Sequence, residues 1–131
     1  MNNDKLVIQQ LLKQFGAVTA VDRIDLNMSE GKLYSFLGPS GCGKTTTLRM
    51  VAGLEHPTDG RIVVDGVVMS DRKIMLQPEN RNMGMVFQSY AVWPHMTVFE
   101  NVGYGLKIKR IRRSEIDRRV KEMLAMVGME N

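Results

Sequence analysis

Three observations predict a mixed α/β chain whose first third is rich in strands. Asp65-Gly66 sits between the runs Arg61 to Val64 and Val67 to Met69, the strongest hairpin signal in the sequence. A short apolar run, Leu33-Tyr34-Ser35-Phe36-Leu37, ends abruptly in Gly38-Pro39-Ser40-Gly41-Cys42-Gly43, the pattern of a buried strand feeding a tight loop. Further on, Ile116, Val120, Met123, Leu124 and Val127 recur at helical spacing.

The individual elements follow in order. Lys5 to Leu12 mixes apolar and polar residues in a way that fits a strand or a short helix, and periodicity does not separate the two. Gly16 breaks this segment. Thr19 to Met28 carries apolar residues at Val21, Ile24, Leu26 and Met28, which favours a half-exposed strand, and Ser29-Glu30-Gly31 is a turn signal. Lys44 to Ala52 reads as a helix closed by Gly53, with Leu48, Val51 and Ala52 on its apolar face. Ser70 to Asn82 is polar, contains Pro78 and is expected to be a surface loop, followed by a second short apolar strand from Met83 to Phe87. Thr97-Val98-Phe99-Glu100 matches a capping box, so a helix is expected to begin near Thr97. Ser114-Glu115-Ile116-Asp117 is a similar start signal for the last helix, and Gly128 closes it.

The 131 residues are 44% hydrophobic and 24% charged, a globular composition with no low-complexity tract. No apolar run approaches the ~18 residues of a membrane-spanning helix, so direct membrane insertion is not expected. The N-terminus lacks the basic flank and apolar core of a signal peptide. A single cysteine rules out an internal disulfide framework and fits a reducing compartment. Acidic and basic residues balance through residue 104, so the whole net charge of +4 arises in residues 105–131. A nucleic-acid binder more often presents a basic face served by several elements; a solvated terminal helix accounts for this excess, and no nucleic-acid partner is expected.

One motif carries chemistry. Gly38 to Thr45 satisfies G-x-x-x-x-G-K-[ST] in full, preceded by an apolar strand pattern and followed by a helix pattern, the context such a phosphate-binding loop requires. Gly41 and Gly43 let the loop wrap closely, so that the backbone of Gly38, Pro39, Ser40, Cys42 and Gly43 surrounds phosphate oxygens, every one of these residues except Pro39 offering an N–H. The first helical turn, Lys44 to Thr46, adds unpaired N–H donors and a partial positive charge. Lys44 supplies a full charge to the β- and γ-phosphates, and the Thr45 hydroxyl is placed to ligate Mg²⁺. Cys42 lies within the loop, where a bound nucleotide would shield it. His56 and His95 show no pattern of a metal ligand or catalytic base.

A phosphate-binding loop alone does not separate ATPases, GTPases and small-molecule kinases. Lys13-Gln14-Phe15-Gly16, the stretch Gly38 to Gly66, and Gly84-Met85-Val86-Phe87-Gln88-Ser89-Tyr90 resemble the ATP-binding cassette (ABC) ATPases. Arg81 to Gln88, continuing through Trp93-Pro94-His95-Met96-Thr97-Val98, looks most like importer subunits for sugars, polyamines or ferric iron. The resemblance implies a P-loop NTPase (RecA-like) core with an antiparallel β-subdomain. It implies ATP and Mg²⁺ as cofactors. Phe15 matches the aromatic residue on which adenine stacks, with a core phenylalanine as the alternative. Gln88 matches the glutamine that reaches Mg²⁺ and the γ-phosphate and links the site to membrane subunits. The aromatic-rich region around Phe87, Tyr90, Trp93, Phe99 and Tyr104, with Met85 and Met96, matches either a local core or the cleft that receives a short helix of the membrane domain.

The resemblance also implies partners: transmembrane permease subunits and a second ATPase subunit, with the protein peripheral on the cytoplasmic face of the membrane. A complete ATPase of this kind continues through an L-S-G-G-Q signature, a Walker B Asp followed by Glu, and a later histidine. None of these occurs here, so residues 1–131 are expected to form the N-terminal half of one ABC ATPase domain, truncated before the signature and the Walker B strand. Half a site is not expected to hydrolyse ATP efficiently, since phosphoryl transfer depends on complete positioning and charge stabilisation. Two rival readings are a stand-alone, non-catalytic nucleotide-binding or regulatory module and a P-loop kinase for a small molecule.

Overall fold

The computed structural model describes residues 4–129, and these divide into two compact units at Met85/Val86. In the first unit, β1 (Asp4–Phe15), β2 (Val18–Ser29), β3 (Asp59–Val64) and β4 (Val67–Ser70) form an antiparallel sheet in the order β2-β1-β3-β4. The helix α1 (Lys44–Ala52) belongs to the same unit. The second unit contains α2 (Val98–Ile108) and α3 (Arg113–Met126).

β1 resolves the ambiguity of Lys5 to Leu12 in favour of a strand, and it also shows where the ambiguity comes from. Ile8 and Leu11 are both buried, three residues apart, a spacing that strict alternation forbids. A β-bulge reconciles them: Ile8 pairs with Leu26 and Leu11 with Ile24, with a register shift between, and Gln10 adopts φ 46°. Arg23, at φ 42°, lies on the partner strand between buried Val21 and half-buried Ile24. Asp25 secures the bulge, accepting hydrogen bonds from the Gln10 backbone N–H at 2.8 Å and from the Gln10 side-chain amide. On the other side, β3 passes so close that a Cβ at Gly60 would lie 2.2 Å from the Gln10 carbonyl oxygen. Gly60 also has φ +82°, so glycine is required there twice over.

The remaining strands follow local rules. Asp65 and Gly66 have φ 50° and 76°, the left-handed pair of a two-residue turn, and join β3 to β4. The inward residues Ile8, Leu11, Val21, Ile62, Val64 and Met69 form one core cluster, into which α1 inserts Met50. α1 spans the expected residues, but its buried stripe is Thr47 and Met50; Leu48 is half exposed. Of the expected face, Val51 packs against the core beside the Thr47–Met50 row, whereas Leu48 turns outward. Of the expected loop Ser70 to Asn82, Ser70 is the buried last residue of β4, and the rest is a loop with a short 3₁₀ turn at Pro78–Asn80.

Two expected strands do not form. Leu33 to Leu37 has no regular secondary structure, and Leu33 and Leu37 are almost fully exposed. Met83 to Phe87 likewise pairs with nothing among the described residues. An apolar extended segment becomes a strand only where a neighbour supplies hydrogen bonds, and the four-stranded sheet has all three of its ladders on other residues.

Arg81 is the unexpected member of the first unit. Its side chain is buried, with Nε donating to the Leu76 carbonyl at 2.8 Å. One terminal nitrogen donates to the Met50 and Val51 carbonyls, each at 2.9 Å, and the other to the Met69 carbonyl at 3.2 Å. The guanidinium therefore caps the last turn of α1, where carbonyls lack intrahelical partners and the helix dipole favours a cation. Burial pushes its pKa below the usual arginine value.

In the second unit the capping box at Thr97 forms as expected: the Glu100 N–H donates to Thr97 Oγ1 at 3.2 Å and the Thr97 N–H donates to Glu100 Oε2 at 2.8 Å. The Thr97 N–H, and then the Thr97 hydroxyl donating to the same carboxylate oxygen at 2.9 Å, hold the Glu100 carboxyl below its usual pKa. Asn101 fastens the preceding loop, accepting from the Trp93 N–H and donating to the carbonyls of Trp93, Met96 and Thr97. α3 departs from expectation at its start: Arg112 occupies the N-cap position with no side-chain cap, and Ser114 is already inside the helix. Charge stabilises this turn in place of a cap. Arg118 bridges Glu115 and Glu122, and Arg119 also reaches Glu115. Gly128, at φ 72°, ends the helix with its N–H bonded to the Ala125 carbonyl.

Replacing Gly60 with Ala is expected to destabilise the first unit by roughly 2–4 kcal/mol, read as a lowered urea midpoint by circular dichroism. A pH effect is expected for α3. Hydrogen bonds from Arg118, and then from Arg119, draw the Glu115 pKa from 4.5 down to about 2. Because the folded value lies below the unfolded one, the stabilisation is present above about pH 4.5 and is lost as pH falls towards 2. Helicity measured across this window should fall in the native chain, and Glu115→Gln should remove that part of the transition while lowering helicity at pH 7.

Candidate functional site

The glycine-rich loop is positioned by a close approach between the start of α1 and β2. Gly43, at φ 89°, occupies the N-cap position of α1 and has no side-chain cap. A Cβ at this position would stand 2.4 Å from the Ala20 carbonyl oxygen and 3.1 Å from a Val21 methyl carbon. Absence of a side chain therefore seats the helix N-terminus directly on β2. The first intrahelical bond runs from the Thr47 N–H to the Gly43 carbonyl at 2.9 Å, and Thr47 Oγ1 donates to the same oxygen at 3.0 Å. The amides of Lys44, Thr45 and Thr46 thus have no intrahelical acceptor.

Lys44 turns back across the loop. Its Nζ donates to the Gly38 carbonyl at 2.8 Å and the Pro39 carbonyl at 2.6 Å, and contacts Cys42 Sγ at 3.2 Å. The loop tightens further through the Cys42 N–H and the Pro39 carbonyl, 3.4 Å apart. Cys42 is exposed. A cavity of about 460 Å³ adjoins the loop, lined in part by Ala20, Val21, Leu37, Gly43, Lys44 and Thr47. Unpaired amides, a helix N-terminus and an ammonium converge here, a donor set suited to phosphate oxygens. The Thr45 side chain is exposed at the start of the helix, so its hydroxyl is accessible.

The structure thus brings Gly38, Pro39, Ser40, Gly41, Cys42, Gly43, Lys44, Thr45 and Thr46 together in one strandless loop and the first turn of α1. Phe15 lies in the same unit, at the end of β1, with its ring 49% exposed; it is not a core phenylalanine. Gln88 belongs to the second unit, exposed at a bend. The aromatics of the second unit divide. Trp93 and Tyr104 pack together with ring centres 4.4 Å apart, whereas Tyr90 is 97% exposed. A groove of about 400 Å³ lies between α2 and α3, with Met96, Phe99, Tyr104, Ile111 and Ile116 among its walls.

Sequence reasoning missed two residues around this site. Arg81, inside a polar loop, gave no signal at all. Lys13 gave a weak one: two residues before Phe15, it lies with its ammonium 4.6 Å from the ring centre.

An α/β fold with a phosphate-binding loop at a helix N-terminus defines a nucleotide-binding protein of the P-loop class. Comparison with known proteins narrows this: the family described as ABC transporter matches residues 21–131, and the chain belongs to that family. It is 51% identical over 123 residues to the Fe(3+) ions import ATP-binding protein FbpC of Escherichia coli O157:H7, covering 94% of this chain and 34% of that protein. It is 48% identical over 119 residues to the trehalose/maltose import ATP-binding protein MalK of Thermococcus litoralis, covering 89% of this chain and 32% of that protein. Among solved structures, a dimeric ATP-binding cassette in a post-hydrolysis state bound to ADP and Pi superposes with a TM-score of 0.80 at 28% identity. That match covers 94% of this chain and 57% of the cassette. The chain has the α/β fold of ABC ATPase cassettes, and it spans about a third of the length of the curated relatives it matches.

Proposed function

We propose that this chain is the ATP-binding part of the ATPase subunit that powers an ABC importer. The observation that carries the reading is Lys44, whose ammonium is folded into the glycine loop at the N-terminus of α1. When ATP arrives, its β- and γ-phosphates replace the Gly38 and Pro39 carbonyls as partners of Lys44. Glycine-loop amides and those of Lys44, Thr45 and Thr46 take the remaining phosphate oxygens. Mg²⁺, when bound, would neutralise phosphate charge, and in the first unit Thr45, through its hydroxyl, is the residue that would hold it. Phe15 provides the surface for adenine.

In this reading residues 1–131 form the N-terminal half of one ABC ATPase domain, and a longer protein completes the catalytic site. Hydrolysis then requires residues beyond this chain, which alone binds nucleotide without efficient turnover. The same reading carries with it permease subunits and a second ATPase subunit as partners, the latter in keeping with the dimeric form of the solved cassette, and a location on the cytoplasmic face of the membrane. No helix among the described residues is long and apolar enough to cross a membrane. The groove between α2 and α3, with Met96, Phe99 and Tyr104 in its walls and Tyr90 nearby in sequence, suits a short helix of the permease through its aromatic and sulfur-bearing side chains.

Equilibrium titration with MgATP tests the central claim. Lys44→Ala is expected to weaken binding about ten- to a hundredfold, the loss of charge-assisted hydrogen bonds. MgATP is also expected to slow alkylation of Cys42 in the native chain and to lose that effect in the variant. Unchanged affinity in Lys44→Ala, or unprotected Cys42 at saturating MgATP, would overturn the assignment.

A further inference from the structure

Lys13 is not a free surface cation. Its ammonium pairs with Glu55 at 2.7 Å and donates to the His56 carbonyl at 2.8 Å, and its side chain is only 12% exposed. The segment that provides these partners is itself fastened to β1. The Thr58 N–H donates to the Leu12 carbonyl at 2.8 Å, and the Gln14 N–H donates to Thr58 Oγ1 at 3.0 Å. Pro57, between them, is fully buried. Lys13 therefore has a fixed seat, and from it the ammonium lies over the Phe15 ring, 4.6 Å from the centre.

A cation held over an aromatic face is attracted to the ring's negative quadrupole and restrains the ring's orientation. Phe15 stands beside the Gly16 turn and is half exposed, so packing alone does not fix it. With one face under the ammonium, a flat ligand has the opposite face on which to stack.

We propose that Lys13 is a positioning residue for the nucleotide base: anchored by Glu55 and His56, it orients Phe15 so that one defined ring face receives the base. The inference rests on the reading of Phe15 as the adenine-stacking residue. Lys13 acts through Phe15, so its contribution belongs to the base and not to the phosphates. Glu55 contributes at one remove, by holding the ammonium in place.

The test compares the affinity of the full chain for MgATP with its affinity for magnesium tripolyphosphate, which has the phosphate chain and no base. Lys13→Met is expected to weaken MgATP binding roughly three- to tenfold and leave tripolyphosphate binding unchanged. Lys13→Arg keeps a cation over the ring and is expected to retain most of the affinity. The double variant with Phe15→Ala should bind MgATP no more weakly than Phe15→Ala alone, since both changes remove one interaction. Parallel loss of both ligands in Lys13→Met would overturn the proposal, because Lys13 would then serve only folding. Unchanged MgATP affinity in Lys13→Met, with Phe15→Ala weakened, would also overturn it. If Phe15→Ala itself binds MgATP normally, the stacking role of Phe15 fails, and the inference falls with it.

Discussion

The seating of α1 on the sheet is the constraint on which the phosphate loop depends. Three contacts hold the helix along its length. At the N-terminus, Gly43 lies against the Ala20 carbonyl at a separation no other residue tolerates. In the middle, Met50 is completely buried among Ile8, Leu11, Val21, Ile62, Val64 and Met69. At the C-terminus, Arg81 takes the Met50 and Val51 carbonyls while also holding Met69 and Leu76. A helix fixed at both ends and in the middle presents its free N-terminal amides in a constant direction. Such preorganisation lowers the ordering cost when a phosphate binds.

Legibility of this arrangement varied with the range of the interactions. The loop from Gly38 to Thr46 could be read directly because its parts are contiguous and their geometry follows from glycine and helix-terminus rules. The Thr97–Glu100 capping box and the Asp65-Gly66 turn were readable for the same reason. Arg81 is different. It donates to Met50, 31 residues earlier in the chain, and nothing local distinguishes it from a solvated arginine in a polar loop. Lys13 accepts its fixed position from His56, 43 residues away. Its nearness to Phe15 in sequence was visible, but what made the pair rigid was not.

β1 shows a different failure, in which the local signal itself was ambiguous for a physical reason. Ile8 and Leu11 share a buried face at a helical spacing because the bulge at Gln10 inserts a phase shift into a strand. Periodicity assumes a regular backbone. Here Asp25 on one neighbouring strand and Gly60 on the other create the irregularity, so the three strands have to be known together before the pattern of one makes sense. The same dependence, reversed, explains Leu33 to Leu37. Its apolar pattern describes an environment with partners on both edges, whereas conformation is decided by the partners available to the backbone.

The basic excess after residue 104 gains meaning from the same distinction. Arg118 and Arg119 are engaged on α3 by Glu115 and Glu122, so part of the positive charge serves a helix that begins without a side-chain cap. An unfavourable start is offset by ion pairs spaced three and four residues apart, each weak when exposed. Glu115 lies in the first turn, where a negative charge also meets the positive end of the helix dipole. Its two arginine partners then keep it ionised far below the ordinary carboxylate range. Ser114, the residue whose chemistry most suggested a cap, lies two positions past the N-cap, too late to act as one. Ser114 marked the right region, but the charges immediately after it are what hold the turn.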